Sequence, residues 1–98
     1  EHDKELRELQ IELGVSFVEG NKTRFTEITE AITSGDLRAA HRLVHSLKSN
    51  AGQIGKNELQ NTADVIERLL AKKERPPEDL LEHLEAELNA VLEELGES

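Results

Sequence analysis

The chain has no cysteine, tryptophan, tyrosine or methionine, and only two phenylalanines and two prolines in 98 residues. Without cysteine there is no disulfide framework, no thiolate metal site and nothing that calls for an oxidising compartment, so a cytoplasmic setting is expected. With so few aromatics the core must be built from Leu, Ile, Val and Ala, a palette that favours helices over strands. No long apolar run is present and the N-terminus reads EHDKELREL, so neither a signal peptide nor a membrane span is expected, and no membrane contact. Positive charge is scarce: 12 Lys plus Arg stand against 21 Asp plus Glu, a net charge of −9. Such a balance repels a phosphate backbone and argues against nucleic acid as a partner.

What is present is a helical pattern. The length fits one domain over residues 1–98 and leaves no room for a second. Breaks fall at Gly20-Asn21, read as the end of one helix and the cap of the next, at Thr33–Asp36, at Gly55–Asn57 and at Pro76-Pro77. They delimit five helical segments, roughly 4–19, 22–34, 36–53, 57–74 and 77–95. Apolar residues recur at three and four: Leu6, Leu9, Leu13 and Phe17; Phe25, Ile28 and Ile32; Leu59, Ala63, Ile66 and Leu70; Leu84, Leu88, Val91 and Leu95. Each helix therefore has a face to bury. Short connections make successive helices antiparallel, so the expected fold is all-α: an antiparallel up-and-down four-helix bundle with an additional N-terminal helix. The last segment, rich in carboxylates and without Lys or Arg, reads as a solvated bundle face.

The third segment departs from simple amphipathicity. Leu37, Ala40, Val44, Leu47, Ala51 and Ile54 form a seam spaced 3, 4, 3, 4, 3. His45 lies about 130° from the centre of that seam, on a polar flank with His41, Lys48 and Gly52. Residues 36–56 also carry Arg38, Arg42, Lys48 and Lys56 against Asp36 alone, a basic island in an acidic chain and a candidate docking surface for an acidic partner or an anion. A glycine inside a helix costs about 1 kcal/mol relative to alanine. At Gly52 either a neighbouring helix packs closely or the surface stays flat so that another protein can reach the imidazole. A neutral imidazole has a lone pair able to attack phosphorus, and an ammonium one turn away can neutralise a phosphoryl oxygen. The remaining part is an acceptor for the other ring N–H, for which the next helix offers Gln60, Asp64 and Glu67; spacing does not choose among them. His41 and His45, at i and i+4, also form a minimal zinc pair, disfavoured because position 42 is Arg and Lys48 would repel a cation. An inert helical adaptor, indifferent to loss of the His45 side chain, is the remaining reading.

The stretch AAHRLVHSLKSNAGQIG resembles the histidine phosphotransfer (HPt) domain family. Its pattern of histidine, any residue, leucine, lysine and a small residue, with glycine ten positions after the histidine, is matched by His45, Leu47, Lys48, Ser49 and Gly55. The resemblance implies that His45 carries the phosphoryl group, that Lys48 assists it and that Glu67, 22 positions on, orients the imidazole. Ser49 stands where the family commonly has glycine, and it is small enough to keep access open. His41, Arg42, Ser49, Gly52, Gln53 and Lys56 are the expected docking surface. The family also implies response-regulator receiver domains as partners and a place in a hybrid sensor histidine kinase, with a free-standing protein or a chemotaxis-kinase module as alternatives. No cofactor of its own is implied: magnesium would belong to the receiver.

Overall fold

A computed structural model describes residues 2–96. Five helices follow in order: α1 (His2–Asn21), α2 (Arg24–Thr33), α3 (Leu37–Gln53), α4 (Asn57–Ala71) and α5 (Glu78–Gly96); no strand occurs among the described residues. The sequence stripes become the core. Ile28, Ala40, Val44, Leu47, Ala51, Ala63, Ile66 and Leu84 are fully excluded from solvent, and Leu59, Leu70 and Leu88 nearly so. Leu37 and Ile54, the ends of the α3 seam, are partly buried against them.

Three helix ends share one device. After α2, α3 and α4 the amide of the second residue past the cap donates to the carbonyl five residues back: Asp36 to Ala31, Lys56 to Ala51 and Glu74 to Leu69, each at 2.9 Å. The residue before each of those donors has positive φ, namely Gly35 (83°), Gly55 (71°) and Lys73 (61°). These are Schellman terminations, which require a left-handed residue after the cap. Two of them fall on glycines. The third uses Lys73, so α4 closes at Ala71, earlier than the 57–74 span its polar residues suggest. Asp36 then caps α3, its Oδ1 accepting the Ala39 amide at 3.1 Å.

Two expectations are corrected at the N-terminus. Asn21 does not cap the second helix; it closes the first, and Thr23 occupies the cap of α2. The Asn21 side chain is fully buried. Its Nδ2 donates to the Phe17 carbonyl at 2.9 Å, and its Oδ1 accepts from Arg24 Nε at 3.1 Å and Asn50 Nδ2 at 3.4 Å. Those bonds tie the α1–α2 corner to α3, so the residue is used inward. Second, α1 does not bury its whole stripe. Phe17 is buried, but Leu6 and Leu9 are 58% and 52% exposed. The C-terminal half of α1 packs on the ends of α3 and α5, where Leu95 lies against Gly14. A 20-residue helix is about 30 Å long, and its first turns run past the described end of α5. The molecule is accordingly elongated, 49 × 21 × 19 Å.

Candidate functional site

The site forms where α3 and α4 run antiparallel, joined by residues 54–56. Facing residues meet in reverse order: Gly52 with Gln60, Lys48 with Asp64 and His45 with Glu67. One helix is spaced 3 and 4 (45, 48, 52) and its partner 4 and 3 (60, 64, 67), so each polar flank is the mirror of the other. The cores of the two helices, Ala40, Val44, Leu47 and Ala51 against Leu59, Ala63, Ile66 and Leu70, hold that register.

Among the three carboxylate and amide candidates, the group facing the imidazole is Glu67. Its Oε2 lies 2.5 Å from His45 Nδ1. With a carboxylate as partner, Nδ1 carries the hydrogen and donates it, which leaves Nε2 as the unprotonated nitrogen. Nε2 makes no hydrogen bond among the described residues, and the His45 side chain is 57% exposed. Asp64 and Gln60 serve other groups. Lys48 Nζ sits 2.6 Å from Glu67 Oε1 and 3.3 Å from Asp64 Oδ1, and Arg68 Nε holds the second Asp64 oxygen at 3.1 Å. The Gln60 amide fills the space over Gly52: a Cβ there would lie 2.6 Å from Gln60 Nε2. The neighbour over that glycine is thus the movable end of a side chain, not the backbone of α4.

Electrostatics follow from this geometry. Burial alone pushes the Glu67 carboxyl up, but hydrogen bonds from Lys48 and His45 outweigh it, and the group lies below its ordinary value. The Glu67 hydrogen bond holds the Lys48 ammonium above its ordinary value, with Asp64 adding to the effect against a smaller desolvation cost. Glu67 is therefore an anion at neutral pH and Lys48 a cation. The lysine's charge is turned toward α4 rather than toward the solvent beside His45.

The remaining flank residues are dispersed around this centre. Arg42, Ser49 and Gln53 are exposed, and Lys56 is tied to Glu94 at 2.8 Å. Half of the basic island is thus neutralised by acids of α4 and α5, whereas Arg38 and Arg42 make no ion pair among the described residues. His41 was expected as part of the docking surface and as half of the disfavoured zinc pair. It stacks one turn before His45, ring planes within 9°, and its Nε2 is 3.7 Å from the same Glu67 oxygen. A depression of about 430 Å³ lined by His41, Arg42, His45, Ser46 and Glu67 opens beside the His45 ring. Among the described residues no group of three or more His, Cys, Asp or Glu is arranged to hold a metal ion, and no helix is long and apolar enough to cross a membrane.

A helical bundle presenting a half-exposed imidazole backed by an anion has the geometry that carrying a group on a histidine requires. A family model of the Hpt domain matches residues 12–95, and the chain belongs to that family. Hpt domains perform histidine phosphotransfer in phosphorelays, as phosphocarriers rather than catalysts, with receiver domains among their relay partners. Searches of curated proteins and of solved structures found no match.

Proposed function

We propose that His45 is the phosphoryl carrier of a relay, taking the group from the aspartyl phosphate of one receiver domain and passing it to another. The single observation that carries this reading is the His45–Glu67 pair: an exposed imidazole whose inner nitrogen is held by a buried carboxylate at 2.5 Å. Nε2 attacks phosphorus, the P–O bond to the receiver's aspartate breaks and the carboxylate leaves. The positive charge that develops on the ring stays at Nδ1–H, facing Glu67, which stabilises it. No general base is required, since the attacking nitrogen already carries a lone pair, and no metal on this chain; magnesium belongs to the receiver. Positioning and charge neutralisation supply the rest.

Lys48 acts in two ways in this reading. Its ammonium fixes the outer oxygen of Glu67, and, one turn from His45, it can swing out to offset phosphoryl charge, a part that Arg42, which lines the depression beside the ring, can share. Arg42, Ser49, Gly52 and Gln53, with His41 and Lys56 at the edges, form the surface against which a receiver docks. Cytoplasmic receivers, and a hybrid sensor histidine kinase as parent polypeptide, are the partners this reading names.

The test is to mix the protein with a panel of labelled, phosphorylated receivers and follow transfer. Label should reach the wild type, fail to reach His45→Gln, and reach Lys48→Ala more slowly. Equal labelling of His45→Gln would end the assignment, while an undiminished rate in Lys48→Ala would remove the lysine from it.

A further inference from the structure

We propose that His41 is a positioning residue: it shares the Glu67 carboxylate with His45 and, once protonated, draws that carboxylate away, so that acid withdraws His45 from its reactive arrangement. The inference rests on His45 being the phosphoryl acceptor, and it extends that reading to how the acceptor is controlled.

The bonding capacity of Glu67 is the starting point. Oε1 is occupied by Lys48 at 2.6 Å. Oε2 faces two imidazoles, His45 Nδ1 at 2.5 Å and His41 Nε2 at 3.7 Å. The second distance is too long for a hydrogen bond but within reach of one through a small rotation of either side chain. The ring centroids are 6.4 Å apart with the planes nearly parallel, an offset arrangement that helical spacing and a common acceptor favour. Glu67 is only 12% exposed at its side chain, so water competes weakly for its oxygens.

A neutral His41 has one N–H, free to point elsewhere, and leaves Oε2 to His45. A protonated His41 has donors on both nitrogens and a charge, and Glu67 is the one carboxylate within ion-pair distance of it among the described residues. The other charged groups around it are named readily. On α3 stand Arg38, Arg42, His45 and Lys48; on α4, Asp64 occupied by Lys48 and Arg68; and Asp36 and Lys73 line the far side of the adjoining groove. Once the proton is bound, the strongest bond available to it is to Oε2, and the rotation of Glu67 that shortens this contact from 3.7 Å lengthens the one His45 now holds. His45 then loses its fixed Nδ1–H tautomer, and the lone pair at Nε2 is no longer guaranteed. Two proton-binding events, one at His45 and one at His41, therefore suppress reaction, where a single histidine would give one.

The test uses the intact protein, ring-labelled with ¹⁵N, over about pH 5 to 8, where imidazoles titrate. Phosphoramidate serves as a small donor: its P–N bond breaks, the phosphoryl group bonds to His45 Nε2 and ammonia leaves. Rates are taken after subtracting uptake by His45→Gln. In the wild type, the His45 ring shifts should report a second inflection coincident with the His41 titration. The logarithm of the rate should fall in acid with a slope approaching about 2. In His41→Gln and His41→Asn the second inflection should vanish and the slope return to about 1. Glu67→Gln should uncouple the rings with His41 still in place. Superimposable His45 titrations and rate profiles in wild type and His41→Gln would overturn the proposal. Coupled ring titrations without phosphoryl uptake at any pH would uphold the shared carboxylate and overturn the relay assignment instead.

Discussion

Replacing Glu67 by glutamine tests the centre of the site with almost no change of shape. The carboxylate accepts from Lys48 on one oxygen and His45 on the other; the amide has one carbonyl oxygen, so one of the two donors must face an NH₂ group. Charge-assisted hydrogen bonds exceed neutral ones by about 1 kcal/mol. A donor facing a donor adds to the loss, whereas the remaining Lys48–Asp64 contact and partial solvent exposure reduce it. The expected net cost of the substitution is about 1.5 kcal/mol, which for a domain of this size lowers Tm by about 6–12 °C.

The pH dependence supplies the sign. Because the folded state holds the Glu67 carboxyl below 4.5, its contribution is complete above that value and disappears as pH falls through the lower folded one. Thermal melts followed by circular dichroism should show a gap between wild type and Glu67→Gln that persists from neutral pH down to about 4.5, larger where the neighbouring imidazoles are protonated, and closes in stronger acid. Identical melting at neutral pH, or a gap that persists where the carboxyl is protonated, would refute the geometry.

The remaining predictions concern the frame. Gly52→Ala gains about 1 kcal/mol of helix propensity and displaces only the flexible end of Gln60, so urea unfolding should show equal or greater stability. Gly55→Ala meets open space but must hold φ at 71°, and should lose about 1 kcal/mol; the same sign for both would contradict this account. Ile28→Ala, at a site with no exposure, should cost about 2–5 kcal/mol. Ile11→Ala, at a side chain 62% exposed on α1, should change stability by no more than about 0.5 kcal/mol, and a large loss there would show that the outer turns of α1 are packed.

Periodicity revealed the helices and most of the core because burial repeats every turn: the α3 and α4 stripes became solvent-free residues. It overstated α1, since Leu6 and Leu9 have the right spacing but stay more than half exposed among the described residues. The α4 terminus was hidden because Lys73 adopts a conformation usually marked by glycine. Asn21 looked like a cap because its residue type suits one; only the packed corner shows its hydrogen bonds turned inward. At the site, spacing put His45 and Lys48 on one flank but did not rank Gln60, Asp64 and Glu67. That ranking depends on how two helices align, a long-range property. A signal for it was present all the same, in the reversed 3-4 and 4-3 spacings of the two polar flanks.

The three-residue connection between α3 and α4 acts as a ruler. Together with the apolar stripes of the two helices, its length sets which residue of the second helix arrives opposite the imidazole. A one-residue change carried into α4 would turn it by about 100°, bringing Ile66 or Arg68 toward the place now held by Glu67; keeping the stripes packed instead requires the bend to absorb the change. The face that α4 presents to His45 is thereby tied to the span of a tight bend ten positions away from that histidine, and lengthening the bend could part the His45–Glu67 pair while sparing both residues.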